Sequence, residues 1–273
     1  MGFFRKLCCV LLLFLSGNIN ALQIGDKAPN FIAQSTKGNI NFHEWSENKW
    51  TILFSHPGDF TPICTTELAE LAFLQPEFEK RQTKIITLSA DNVNDHLEWV
   101  SHIDKYKNLI RTDKKGTITT GLERPDLDYP ILEDKNLKIA TAFGMYHPKA
   151  EPSEGVFGDA NKSTIRSVFI IDPDKTIQTI LSYPKHIGRN FNEIIRIIDA
   201  LQLARKYDVT TPGNWEKGEQ VVVPTHVPSE DIKEIYNVEF FTTHQDYLRT
   251  IDDPTKKISK SKKLESKSIN KME

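Results

Sequence analysis

The chain reads as an α/β protein in which a central mixed sheet carries helices on both faces and a smaller piece follows at the C-terminus. Three observations lead there. Two short apolar runs, Trp50–Ser55 and Lys84–Ser89, are each followed by a turn and then by a helical pattern. Two further runs, 165–171 and 177–182, flank Asp172-Pro173-Asp174-Lys175 and read as a hairpin. Beyond Asn190, apolar residues Phe191, Ile194, Ile195 and Ile198 recur at helical spacing. A length of 273 residues suits one large core domain with a small extension. The formal net charge of −2 gives the molecule no general attraction to nucleic acid or acidic lipid. Walker loops, GxGxxG turns and zinc-type cysteine pairs do not occur.

Residues 1–21 stand apart from the globule. Arg5 and Lys6 precede the apolar stretch from Leu7 to Leu15, and small or polar residues lead to Ala21. This is the layout of an export signal with cleavage after Ala21. The stretch is shorter than the roughly 20 residues that span a bilayer, so stable membrane insertion is not expected. The expected destination is the periplasm or the secretory route.

The first strand, Trp50–Ser55, mixes β-branched and aromatic residues as a buried strand does. His56-Pro57-Gly58-Asp59-Phe60-Thr61-Pro62 ends it, because two prolines and a glycine cannot continue a central strand. A helix follows, with Leu71, Leu74 and Phe78 one turn apart; Pro76 inside it predicts a kink. After the Lys84–Ser89 strand comes a helix over about 94–106. The stretch 129–132 leads into another helix around 135–143. The last helix is expected to carry a capping box, Asn190 with Glu193. The core domain so defined is 22–207. Thr211-Pro212-Gly213-Asn214 begins an extension over 208–250, and 251–273 is a Lys/Ser-rich tail expected to be disordered.

The chain has three cysteines, and removal of the leader would take Cys8 and Cys9 with it. Cys64 would then be a solitary thiol in an exported protein, where cysteines ordinarily pair. Its place at a helix start, after a strand and a proline-rich turn, favours a thiolate through unpaired amides and the helix dipole. A thiol with an ordinary pKa of about 8.5 needs roughly 3.4 kcal/mol of preferential thiolate stabilisation to titrate near 6. A helix terminus supplies about 0.3–1 and at best roughly 2 kcal/mol. A nearby cation must supply the rest.

Pro57 to Cys64 has the form PxxxTPxC, and the longer string from Phe54 to Leu68 resembles the one-cysteine, Prx6-like branch of the peroxiredoxins (AhpC/TSA superfamily). The likeness runs from Ile24-Gly25-Asp26 through Leu88-Ser89-Ala90-Asp91 and Gly188-Arg189-Asn190-Phe191 to Thr211–Trp215. It implies a thioredoxin-like fold and a thiol peroxidase that reduces hydrogen peroxide and organic hydroperoxides without a cofactor. By the same resemblance Cys64 is the peroxidatic thiolate and passes through a sulfenic acid. Thr61 hydrogen-bonds the thiolate and the peroxide, Pro57 shields the pocket, and Arg166 is the missing cation. His56, Glu67 and Arg189 support the pocket. With no second cysteine in the mature chain, an external thiol, glutathione or a thioredoxin-like protein, must regenerate Cys64. The family commonly forms homodimers.

From the residues alone other readings stay open. Thr61 is equally a helix cap, Pro57 a strand terminator and His56 a core histidine, while Arg166 could pair with Glu67. The same fold could also serve a chaperone-like or secreted interaction protein. A lipase-like trio met in some relatives is incomplete: His43 and Asp174 match, but Lys49 occupies the serine position. Thr61 stands where a CxxC partner would be, so dithiol exchange is not expected. The eight histidines show no ligand-like spacing, and no metal is expected. The polar stretch 111–128 is longer than the usual family connection and reads as a surface insertion.

Overall fold

The computed structural model describes residues 22–106, 126–146 and 163–256. The leader, most of the 111–128 stretch and the tail beyond 256 lie outside the described residues. Among those described, no helix is long and apolar enough to cross a membrane.

A small hairpin of β1 (Ile32–Ala33) and β2 (Ile40–Asn41) leads into the short helix α1 (Phe42–Trp45). The main domain then runs β3 (Trp50–Ser55), α2 (Pro62–Glu79), β4 (Thr83–Ser89), α3 (Val93–Tyr106), β5 (Ile131–Glu133), α4 (Lys138–Ala142), β6 (Arg166–Ile171), β7 (Ile177–Tyr183) and α5 (Phe191–Tyr207). Its sheet has the order β5-β4-β3-β6-β7. β3, β4 and β5 are parallel, whereas β6 runs antiparallel to β3 and β7 antiparallel to β6. The mixed sheet and its thioredoxin-like arrangement are therefore as the sequence implied.

Period-2 alternation sends successive side chains of each strand to opposite faces. Ile52 and Phe54 of β3, Ile85 of β4 and Val168 and Ile170 of β6 meet Leu68, Leu71 and Phe78 of α2, Trp99 of α3 and Ile194 of α5. Leu53, Ile86, Leu88, Phe169 and Ile171 face the other way, onto Phe42, Ile139 and Phe143. Every residue of β3 is buried, which explains its unbroken apolar run. Arg166 has the parity of Val168, so its side chain lies on the α2 face.

Some boundaries differ from expectation. The helix expected around 135–143 spans only Lys138–Ala142, because Leu137 is left-handed (φ +55°) and the Asp134 carboxylate takes the amides of Ile139 and Ala140. Asn190 does cap α5, accepting from the amides of Asn192 and Glu193. The reciprocal half of the capping box is missing, since the Glu193 carboxylate pairs with Arg196 instead. α2 continues past Pro76 to Glu79. The hairpin between β6 and β7 closes by the Lys175 amide on the Asp172 carbonyl.

After α5, Asp208 in a left-handed conformation (φ +50°) ends the helix. β8 (Val221–Val223), α6 (Ile232–Ile235), β9 (Thr242–Gln245) and β10 (Leu248–Ile251) follow. The three strands form a separate antiparallel sheet around Trp215, Val221, Val223 and Ile232, and Leu203 of α5 joins that cluster.

Candidate active site

Cys64 is the third residue of α2 and is fully buried. The turn that delivers it contains Phe60 at φ +55°, a left-handed conformation that a side chain with Cβ rarely adopts. The Phe60 ring packs near Trp99 and His102. Thr61 is extended and occupies the N-cap position, with Pro62 opening the helix, where its missing amide costs nothing. The Thr61 hydroxyl does not cap α2; it turns back and donates to the Gly58 carbonyl at 2.9 Å. The capping expectation is thus corrected: the hydroxyl closes the preceding turn and makes no capping bond to α2. Pro57 is buried beside the turn, its carbonyl accepting from Ser163.

Arg166 comes from β6 across the sheet and meets Cys64 directly. Both of its terminal nitrogens lie 3.6 Å from Sγ. Its Nη2 also donates to the Lys185 carbonyl at 2.7 Å, and Nη1 donates to Glu67. Glu67 sits one turn beyond Cys64 on α2 and binds a second cation: Arg189 donates to it from Nε, Nη2 and its backbone amide. Arg189 Nη1 reaches the carbonyls of Ser55 and Ser167, tying the cluster to β3 and β6. The two readings of Arg166 are therefore both met, since it pairs with Glu67 and faces the thiol. Two guanidiniums around one carboxylate leave a net positive charge beside Cys64 in a space closed to water. Tyr129, whose phenol burial pushes well above its usual range, donates to the Leu68 carbonyl beneath.

His56 belongs to a second buried cluster. Its Nε2 lies 2.9 Å from Asp59 Oδ1, and His96 Nδ1 lies 2.6 Å from Asp59 Oδ2. Burial works to raise the Asp59 pKa, but the hydrogen bonds from both imidazoles and their charge hold it below the ordinary carboxylate range. Burial likewise opposes the His96 cation, and the Asp59 hydrogen bond and charge overcome it, so its pKa is raised. Asp91 accepts from the Asp59 amide and the Ser89 hydroxyl. His56, Asp59 and Asp91 converge closely, yet their donors and acceptors are largely taken by one another and by these neighbours. Asp59 and His96 escaped sequence reasoning. A signal existed: His96 shares the buried stripe of α3 with Trp99 and Ile103.

The lipase-like positions that match have other hydrogen-bond partners. His43 Nε2 bonds the Ala28 carbonyl, and Asp174 pairs with Arg205.

A strand, a proline turn and a helix-start cysteine against an arginine define a peroxiredoxin-type thiol site on a thioredoxin-like fold. The comparisons agree: residues 24–180 match the AhpC/TSA family and 200–237 the C-terminal domain of 1-Cys peroxiredoxin. The chain belongs to the AhpC/TSA family, in its one-cysteine, peroxiredoxin-6-like branch. It is 41% identical over 237 residues to 1-Cys peroxiredoxin of Dictyostelium discoideum, covering 87% of this chain and 88% of the relative. Peroxiredoxin-6 of Rattus norvegicus is also 41% identical, over 85% of this chain and 98% of the relative. Among solved structures, a yeast mitochondrial 1-Cys peroxiredoxin superposes with a TM-score of 0.71 at 38% identity, over 85% of this chain and 99% of that one. Peroxiredoxin 6 of Arenicola marina gives the same TM-score of 0.71 and 38% identity, over 86% and 99%. The protein is a thiol-dependent peroxidase.

Proposed function

We propose that Cys64 is the peroxidatic thiol and that it is regenerated by a thiol from outside the chain. The thiolate attacks the terminal peroxide oxygen; the S–O bond forms as the O–O bond breaks, and the leaving alkoxide takes a proton to become an alcohol. Sulfur, two electrons poorer, is left as a sulfenic acid. A first external thiol condenses with it, releasing water and forming a mixed disulfide; a second displaces Cys64 as thiol. Arg166 favours the thiolate and the negative charge that develops on the peroxide oxygens. Glu67 and Arg189 hold Arg166 in place, Thr61 and Pro57 shape the approach to sulfur, and His56 supports the turn.

The observation that carries this reading is the pair of 3.6 Å contacts from Arg166 to Sγ at the start of α2. The reductant is glutathione or a thioredoxin-like protein; the yeast structure was solved to explain thiol resolution via those two systems in that protein, which supports the reading. The protein works as a homodimer, and β7, the last strand of its sheet, offers an edge for pairing. Export is carried by residues 1–21, with function in the periplasm or the secretory route after cleavage. Four units follow: leader, core domain 22–207, extension 208–250 and tail 251–273.

Hydrogen peroxide consumption in the presence of glutathione or a thioredoxin system tests the chemistry. Wild type should turn over and Cys64→Ser should not. Equal consumption by both would return the chain to a non-enzymatic use of the fold.

A further inference from the structure

The end of the main sheet opposite Cys64 holds a cavity of its own. β3 and β4 run parallel and pair Thr51 with Lys84 where they begin, whereas the Cys64 turn follows Ser55, where β3 ends. The cavity, of about 320 Å³, opens beside Lys84. Ile40, Trp45, Ile85 and Pro130 give it apolar walls, and Gln75 and Glu79 of α2 add polar ones. The thiol chemistry uses none of these residues.

Lys84 meets conditions unlike those of a surface lysine. Along β4 it has the parity of Ile86 and Leu88, so its half-buried side chain lies on the α1 face. Nζ donates to the Trp45 carbonyl and stands 4.6 Å from the centre of the Trp45 ring. Burial, and after it the charge of Lys49, holds the amine below the ordinary lysine range. Lys175 adds a third cation: its Nζ donates to the next carbonyl, that of Ser46, at 2.6 Å, and its charge and that of Lys84 act on each other. Glu47 and Asp172 act on Lys175 in the opposite sense. The other charged groups at the cavity are Glu79 and the ion pair of Lys37 with Asp128. The Trp45 ring favours the ammonium form. A neutral amine, however, still has an N–H for the Trp45 carbonyl and gains a lone pair. Lysine becomes a nucleophile when it is desolvated in an apolar pocket or set beside another cation, and Lys84 meets both conditions.

We propose that Lys84 is a carbonyl-capturing amine, seated in this cavity with Lys49 as its cationic neighbour, and that it condenses with small apolar aldehydes to a Schiff base. Nζ attacks the carbonyl carbon; the C–N bond forms as the C=O π pair moves onto oxygen, which takes a proton from nitrogen. Loss of water from this carbinolamine breaks the C–O bond, removes the second N–H proton and leaves a C=N bond. The step needs neither oxidant nor reductant. The apolar walls receive the hydrocarbon part of the aldehyde. Nothing in this chemistry passes through Cys64.

The full chain, treated at neutral pH with one equivalent of hexanal and sodium cyanoborohydride, tests the proposal. The hydride fixes each imine as a hexyl-lysine, which peptide mapping locates. Lys84 should carry more label than any other lysine. Lys84→Arg should lose that adduct while keeping the wild-type circular dichroism spectrum. Lys49→Gln should lower the label at Lys84 and leave that of the other lysines as it was. Label spread evenly over the surface lysines, or full labelling of Lys84 in Lys49→Gln, overturns the proposal. Should either variant fail to fold, the wild-type map alone decides.

Discussion

Glu67 holds two guanidiniums where water does not reach, and that makes it the residue on which the Cys64 pocket turns. It is 3% exposed, between Arg166 and Arg189. Removing one partner of a buried ion pair leaves uncompensated charge and costs about 3–5 kcal/mol. Glu67→Gln should therefore lower stability by that order in urea unfolding, and lower peroxidase activity as Arg166 loses its anchor. Unchanged stability would mean that water or another anion already screens the pair. At this scale much was legible. The PxxxTPxC string marked Cys64, Thr61 and Pro57, and the resemblance extended the reading to Arg166, Glu67 and Arg189. Asp59 and His96 were not legible as a unit, because they lie 37 residues apart and only the packing of α3 against the Cys64 turn brings them together.

At the scale of elements, the strands read well because burial imposes period-2 patterning, and β3 and β6 are buried along their whole length. The shorter α4 was misread because Leu137 gives no sequence sign of a left-handed backbone. The capping box failed for a different reason: Arg196, one turn along, competes for Glu193 with a charge-assisted pair that the backbone amide cannot match. Asn190 alone caps α5. Asn190→Ala should cost about 1 kcal/mol, read as a lower midpoint in thermal unfolding. Glu193→Ala should cost less than Asn190→Ala, since the Glu193 side chain is engaged, among the described residues, in a partly exposed pair with Arg196.

For the whole molecule, the Asp59–His96 pair links stability to pH. The Asp59 carboxyl titrates below its usual 3.8, so its contribution is present above that value and is lost as pH falls through the lowered one. The His96 imidazole titrates above its usual 6.5, so its contribution is full below that value and is lost as pH rises through the raised one. The pair thus stabilises the fold most between the two, from mildly acidic pH to about neutrality. Calorimetric midpoints should fall on both sides of that window. In Asp59→Asn the alkaline decline should weaken, because His96 no longer gains a partner; an identical decline would assign it to other groups. To the same scale belong three proposals: export, homodimer formation, and an external thiol as reductant of Cys64.

The central claim is that peroxide oxidises Cys64, and intact mass with peptide mapping after one equivalent of hydrogen peroxide tests it most directly. The account predicts a single added oxygen on the peptide that carries Cys64, removed by an external thiol and absent from Cys64→Ser. An oxygen found elsewhere, or an unmodified Cys64 after the peroxide has been consumed, would contradict it.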